Sequence, residues 1–458
     1  MTRVVVVGGD AAGMSAASAA KRAREDLEVI AFERGEHTSY SACGIPYWVA
    51  GDVAHWSDLV ARSPEEHRRR GIDVRLRTEV VGIDPAAGTV TVREAGGSET
   101  TVGWDHLVLA TGAEPAKLTV PGHDAAGVLS VQRIPDGQAI LDAVASGAER
   151  AVVVGAGYIG IEMAEALLRQ GLEVTVLDRG EQPMGTLDAD LGVHVRAAME
   201  GEGIALRTGV EVEAFETSPT GPGRSRVTGV VTGDGTFAAD LVVCGLGAKP
   251  AVGLAKDAGL PIGDAGGLRT DDRQRVGGDH PAAGRIWAGG DCVEVHDRIA
   301  DRYVTVALGT HANRHGRVIG ANLAGREARF PGVIGTAVTK VCALEIGRTG
   351  LGEKAAAAAG FDAVAATVES TTRAGYMPDA GPIRVKLIAE RGTGRILGGQ
   401  IVGRNEGAAK RIDVIATAVW CGLSADELSD VDLSYAPPFS PLWDPVTLAA
   451  REVAARLG

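Results

Sequence analysis

The sequence predicts an α/β protein built on two strand–glycine turn–helix–strand units, with an α+β domain after them. Three observations predict it: an internal duplication, a set of short apolar runs that each end in glycine, and a change of pattern after about Pro331.

The duplication comes first. Val4–Val7 runs into Gly8-Gly9-Asp10-Ala11-Ala12-Gly13, then an Ala-rich helical stretch to Arg24 and a strand, Leu27–Phe32, that ends at Glu33. Ala151–Val154 runs into Gly155-Ala156-Gly157-Tyr158-Ile159-Gly160, then a helix to Gln170 and a strand, Glu173–Leu177, that ends at Asp178. Further buried strands are expected at His106–Ala110 before Thr111-Gly112, at Asp240–Cys244 before Gly245-Leu246-Gly247, and at Arg285–Ala288 before Gly289-Gly290-Asp291. Breaks are expected at Ser218–Ser225 and Gly277–Gly284, which are rich in Pro and Gly. Beyond Pro331 the strands Thr336–Val341, Ala363–Glu369, Ile383–Ala389 and Gly398–Val402 precede a helix from about Ala408 to Cys421.

A glycine turn after a buried strand lets a pyrophosphate reach the backbone and rest on a helix N-terminus, where free N–H groups and the dipole favour anions. The second unit has all three glycines, Gly155, Gly157 and Gly160, and Asp178 follows 23 residues after Gly155 to accept from ribose hydroxyls. The first keeps Gly8 and Gly13 but has Asp10 for the middle glycine, with Glu33 25 residues after Gly8. Both are Rossmann-like dinucleotide-binding units.

The 458 residues imply about three domains. A net charge of −13 disfavours a nucleic-acid partner, and the run His67-Arg68-Arg69-Arg70 reads as a solvated helix face. No apolar run is long enough to span a membrane and no signal peptide is evident. The five cysteines, Cys43, Cys244, Cys292, Cys342 and Cys421, are scattered and form no CxxC pair. No metal site or disulfide scaffold is expected, and a reducing cytoplasm is.

Cys43 lies in Ser39-Tyr40-Ser41-Ala42-Cys43-Gly44-Ile45-Pro46-Tyr47, just before a short helix with Pro46 in its first turn. A helix N-terminus would lower the thiol pKa and favour the reactive thiolate. The other four cysteines read as small buried hydrophobes.

With these motifs the chain resembles the FAD-dependent pyridine nucleotide–disulfide oxidoreductase family over its whole length. The resemblance implies a FAD-binding domain at 1–115 and 249–330, an NAD(P)H-binding domain at 116–248 and a dimerisation domain at 331–458. It places FAD on Gly8, Ala11, Ala12, Gly13, Glu33, Arg34, Val81, Thr111, Gly112 and Asp291, the last on the ribityl chain. It places NADH or NADPH on Gly155, Gly157, Tyr158, Ile159, Gly160, Asp178, Arg179 and Gly247, with Tyr158 gating the nicotinamide face. Asp178 repels a 2′-phosphate and favours NADH, whereas Arg179 offers that phosphate a cation.

Relatives with a dithiol centre have a second cysteine five residues on, where this chain has Trp48. The segment is therefore similar to the single-cysteine branch: coenzyme A–disulfide reductases, NAD(P)H-dependent persulfide reductases and NADH oxidases. Tyr435-Ala436-Pro437-Pro438-Phe439-Ser440, ending in Asp444-Pro445-Val446, and Arg373-Ala374-Gly375-Tyr376-Met377-Pro378 resemble the tyrosine-bearing stretches of coenzyme A–disulfide reductases. By that resemblance Tyr376 and Tyr435 reach the cysteine of the opposite subunit in a homodimer, and Arg22, Ser39 and Asn313 contact coenzyme A. Two positions depart: Ala42 stands where Asn is frequent, and Trp443 where a lysine meets coenzyme A phosphates. The expected activity is NAD(P)H-driven reduction of a small disulfide or persulfide through Cys43. The alternatives are an NADH oxidase working through a cysteine sulfenic acid and a redox-sensing flavoprotein.

Overall fold

The computed structural model describes residues 1–277, 284–405 and 407–457. The break expected over Gly277–Gly284 thus lies almost wholly outside the described residues.

Two five-stranded parallel sheets carry the two glycine turns. The first has the order Ile286–Ala288, His106–Leu109, Arg3–Val7, Glu28–Phe32 and Ile72–Arg75. The second has Ala205–Thr208, Glu173–Asp178, Arg150–Val154, Leu241–Cys244 and Val128–Ser130. The central parallel strands are covered on both faces and so are apolar runs that do not alternate, whereas the edge strand Ile72–Arg75 alternates, with Asp73 and Arg75 exposed. Val4, Val5 and Val6 are each at most 1% exposed. A two-stranded antiparallel ribbon, Ala113–Pro115 with Ala248–Pro250, carries the chain between these sheets in both directions.

The Ala-rich composition of helix Ala11–Ala23 is explained by its neighbour, helix Gly309–Leu323. A Cβ on Gly316 would meet Ala12 O at 2.4 Å, and one on Gly320 would meet Ala16 O at 2.6 Å. Only small side chains on both helices permit that approach.

The C-terminal domain is a five-stranded antiparallel sheet of order Ala337–Val341, Leu344–Gly350, Ile396–Arg404, Pro382–Glu390 and Ala363–Thr371. Helices Ile412–Cys421 and Pro445–Leu457 pack on it through Ile412, Ile415, Val446 and Val453, all fully buried. An ion cluster around the buried Lys386 joins this domain to the second parallel-sheet domain. The Lys386 ammonium lies 3.2 Å from Asp188 and 2.8 Å from Asp190, and also pairs with Glu353. Those partners raise the Lys386 pKa against the burial that lowers it.

Three expectations are corrected. Of the four cysteines read as small buried hydrophobes only Cys244 and Cys292 are buried, whereas Cys342 is partly exposed and Cys421, which ends helix Ile412–Cys421, is exposed. Ser218–Ser225 is no break but part of a hairpin, Val212–Gly221 with Arg224–Thr232, whose outer ends are solvent-exposed and so lack an apolar alternation. His67 is fully buried and Ser39 Oγ lies 2.9 Å from its Nε2; only Arg68, Arg69 and Arg70 form the solvated face. Among the described residues no helix is long and apolar enough to cross a membrane.

Candidate active site at the seam of the parallel-sheet domains

The two glycine turns are built alike. In the first, a Cβ on Gly8 would lie 2.1 Å from Ala110 O and one on Gly13 would lie 2.0 Å from Gly8 O, so strand, turn and helix touch through backbone. In the second, a Cβ on Gly160 would lie 1.8 Å from Gly155 O, whereas Gly157 faces open space with nothing within 4 Å. That open backbone is the cradle a pyrophosphate needs. The acids are gripped alike too. Glu33 accepts from the Gly9 N–H at 2.8 Å and the Gly35 N–H at 2.7 Å. Asp178 accepts from the Ala156 N–H at 2.5 Å and the Gly180 N–H at 2.6 Å. Each carboxylate is aimed at its own turn and keeps lone pairs for ribose hydroxyls.

Ala11 and Ala12 open the first helix, and Ala12 Cβ supports Gly290 of the Gly289–Asp291 turn, where an added Cβ would come within 3.0 Å of it. Val81 falls at a bulge between Val80 and Gly82. Thr111 Oγ1 donates to Ala251 O at 2.7 Å, and Gly112 O accepts from the Ala251 N–H, which closes the loop after strand His106–Leu109. Gly247 O accepts from the Ala116 N–H at the crossing ribbon. Arg34 and Arg179 are exposed, Arg34 near Glu114 at 3.7 Å. Ile159 is exposed in the first turn of helix Tyr158–Arg169. The Tyr158 hydroxyl accepts from Arg348 Nε at 2.9 Å, so a residue of the C-terminal domain holds it.

Three carboxyls share the first pocket. Burial pushes Asp291 up to about 6. Burial, Glu33 and then Asp291 push Asp10 up to about 7. Asp10 stands at the N-cap of helix Ala11–Ala23 without a side-chain capping bond. The carboxyl that replaces the middle glycine is thus readily protonated, which eases the presence of phosphates. The close-packed glycines, the gripped acid and the Asp291 turn together fit an FAD.

Cys43 sits in a short 3-10 turn, Ala42–Gly44, directly before helix Ile45–Val49. Its side chain reaches solvent, yet the surrounding protein raises its thiol pKa, first through burial and then through the carboxylates of Glu162 and Asp291. This corrects the expected lowering. The helix has only five residues, its dipole is slight, and two carboxylates face the sulfur. Glu162 was missed in the sequence. Its carboxyl accepts from Thr339 Oγ1 at 2.6 Å, and burial raises its pKa. Tyr47 was also missed; burial and Glu162 raise it to about 12.

The cysteine segment is anchored in the second domain, not the first. Ile45, Trp48 and Val49 belong to the core formed by Ile134, Ile140, Ile161 and Met163. Trp48 is 6% exposed and lies against Gly137, where a Cβ would meet its ring at 2.8 Å. The position five residues after Cys43 is therefore filled by core.

Tyr376 and Tyr435 are exposed and act on one another, whereas the groups acting on Cys43 within the chain are Glu162, Asp291 and Asp10. One arginine holds both tyrosine loops. Arg411 donates to Thr372 O at 2.8 Å, to Phe439 O at 2.6 Å and to Asp444 Oδ2 at 3.2 Å. Around these loops Phe439, Leu442 and Trp443 are exposed as well.

Arg22 lines a cavity of about 870 Å³ with Arg314, Arg317, Arg326, Arg329 and Trp420. Asn313 accepts from Ser15 Oγ at 2.6 Å, and Ser39 is paired with His67. The structure thus gathers the glycine turns, their acids, Asp291 and Cys43 at one seam. It leaves the two tyrosines on the outer surface and Arg22 in a separate cationic groove.

Residues 2–316 match the pyridine nucleotide-disulphide oxidoreductase family, and residues 336–445 match its dimerisation domain. An NAD(P)H coenzyme A polysulfide/persulfide reductase of Pyrococcus horikoshii is 39% identical over 451 residues, 98% of either chain. An NADH oxidase of Methanocaldococcus jannaschii is 35% identical over 458 residues, 99% of either chain. The solved structure of an NAD-dependent persulfide reductase from A. fulgidus superposes with a TM-score of 0.94 at 37% identity, over 99% of this chain and 83% of that one. With both family models matched and a relative this similar over its full length, the chain belongs to the pyridine nucleotide–disulphide oxidoreductases and takes FAD and NAD(P)H as its cofactors.

Proposed function

We propose that this enzyme reduces a small disulfide or persulfide of coenzyme A type through Cys43. It acts as a homodimer in which Tyr376 and Tyr435 of each copy complete the other's site. One observation carries the reading: Cys43 reaches solvent at the seam, while buried Trp48 fills the place of a second thiol. An oxidised Cys43 then has no local partner in its own chain, and its sulfur is bonded to a small molecule or to oxygen.

FAD, when bound, relays two electrons from the pyridine nucleotide to sulfur. The chain's own residues set up that relay. The turns at Gly8–Gly13 and Gly155–Gly160 seat the two pyrophosphates on helix N-termini. Glu33 and Asp178 accept from the adenosine riboses, and the fixed Asp178 carboxylate favours NADH. Tyr158, held by Arg348, covers the nicotinamide site. Near the sulfur stands Glu162, whose carboxyl pKa burial raises above its usual range and which offers a proton-transfer group beside Cys43. The phenols of Tyr376 and Tyr435 donate to the departing thiolate. The apolar surface around them supports burial against a second copy.

The arginine groove supports a phosphate-bearing thiol carrier. Ser39, near Cys43, is tied to the first glycine turn by its N–H to Gly9 O. From there helix Ala11–Ala23 leads to Arg22, roughly 16 Å along at 1.5 Å per residue. A carrier lying along that helix has its sulfur at Cys43 and its phosphates among five arginines. These supply the cationic charge that Trp443 does not.

Cys43→Ser should keep bound FAD and lose NAD(P)H-dependent reduction of coenzyme A disulfide and of coenzyme A persulfide. Undiminished reduction by that variant sinks the assignment. The similarity to an NADH oxidase supports a second reading with oxygen as acceptor. Rapid oxygen uptake with no disulfide present would rank it first.

A further inference from the structure

His315 is a buried group with no part in the chemistry above. It lies on helix Gly309–Leu323, behind the Gly289–Asp291 turn, and is 1% exposed. Its Nδ1 accepts the Gly290 N–H at 3.1 Å in a buried hydrogen bond. Its ring meets Phe330 edge-on, with centroids 4.2 Å apart. A Cβ on Gly289 would sit 2.8 Å from His315 Cβ, so the turn rests directly on this side chain. The next residue, Gly316, packs on Ala12 of the phosphate-turn helix, where a Cβ would meet Ala12 O at 2.4 Å. The ring is therefore held from two sides while it grips the turn.

We propose that His315 is a positioning residue for the flavin: by accepting the Gly290 N–H it fixes the turn that presents Asp291. The proposal rests on the reading that Asp291 faces the FAD.

Two further facts support it. Accepting at Nδ1 requires a lone pair there, so the ring is neutral with its proton on Nε2. Burial, and then neighbouring His311, hold the His315 pKa down to about 3, so the accepting form persists across neutral pH. His311 is held down to about 4 by burial and by Arg314. The Nε2 atom, by contrast, is buried with no hydrogen-bond partner among the described residues. An apolar side chain would fill the same space without that cost, so packing alone does not explain a histidine here.

The test compares three variants as FAD-free proteins titrated with FAD, read by flavin fluorescence, and as holoproteins read by the visible flavin spectrum. His315→Asn puts an amide oxygen where Nδ1 lies and should bind FAD like the wild type. His315→Leu removes the acceptor, and His315→Gln places one too far out; each should weaken FAD binding by about tenfold, the factor for one lost buried hydrogen bond, and blur the resolved flavin bands. Circular dichroism confirms which variants fold, and Gln serves should Leu fail. Wild-type affinity and spectrum in both Leu and Gln overturn the proposal, as does an Asn variant as weak as they are. Asp291→Ala separates the underlying reading. If that variant binds FAD undiminished, Asp291 does not face the flavin. If it weakens binding while Leu and Gln do not, only the role of His315 fails.

Discussion

Arg411→Ala is expected to release both tyrosine loops at once. The guanidinium bonds Thr372 O, Phe439 O and Asp444, and its charge partner Asp444 shares its low exposure of 14%. Removing one member of a buried ion pair costs about 3–5 kcal/mol. Asp444 would still accept from Ser440 Oγ and the Val446 N–H, so the lower end applies, about 3 kcal/mol. Arg411→Lys keeps the charge but loses the planar fork that reaches three acceptors, and should recover only part of that loss. Two measurements check the reasoning. Thermal unfolding should show the C-terminal domain weakened. NADH-driven reduction of coenzyme A disulfide should fall at least about tenfold relative to reduction of ferricyanide, which takes electrons from the flavin directly; a loss of about 1.4 kcal/mol in the transition state suffices for that factor. If the alanine variant melts like the wild type and keeps the same ratio of the two activities, Arg411 is not what holds the loops.

Two other predictions concern the second dinucleotide domain. Gly160→Ala forces a Cβ against Gly155 O and should destabilise that domain by about 1–3 kcal/mol, whereas Gly157→Ala meets nothing and should melt unchanged. Its methyl group intrudes on the pyrophosphate, so its KM for NADH should rise about tenfold; an unchanged KM would place the nucleotide elsewhere. Asp240 accepts from the Arg150 side chain and from the N–H groups of Arg150 and Glu149, and is held down to about 2 from 3.8. A depressed carboxyl stabilises the fold above its unfolded value and loses that contribution as pH falls through its folded one. Asp240→Asn should therefore cost about 1 kcal/mol at pH 7, after discounting for a side chain one third exposed, and the gap to the wild type should close towards pH 2. Urea titrations at both pH values decide it; a gap that stays constant contradicts the assignment.

The sequence was most legible where one short stretch holds the whole signal. Val4–Val7 and Ala151–Val154 are buried on both faces, so they are unbroken apolar runs, and each is closed by a glycine that the turn requires. The spacing of Glu33 and Asp178 was also local, since each acid ends the strand beside its own turn. What stayed hidden depends on distant partners. The raised pKa of Cys43 comes first from burial and then from Glu162 and Asp291, more than a hundred residues away along the chain. Lys386 gains its meaning from Asp188 and Asp190, and Arg411 from Thr372 and Phe439. His67 was misread because its charged neighbours describe the outer side of a helix whose inner side is buried. The Val212–Thr232 hairpin was misread because its exposed ends, with Pro219, Gly221 and Gly223, look like loop.

The helix after Cys43 has one more consequence. Ile45, Trp48 and Val49 belong to the core of the second domain, Gln170 Nε2 donates to Val49 O, and Arg169 is bound to Asp52. The segment before it is fastened to the first domain through the Ser39 N–H to Gly9 O. Cys43 is thus a rivet through both bodies, and a large swing of one against the other would shear its sulfur from its place. On the proposed reading of Tyr158 as the cover of the nicotinamide site, a movement of that one ring admits the nucleotide while the frame stays still.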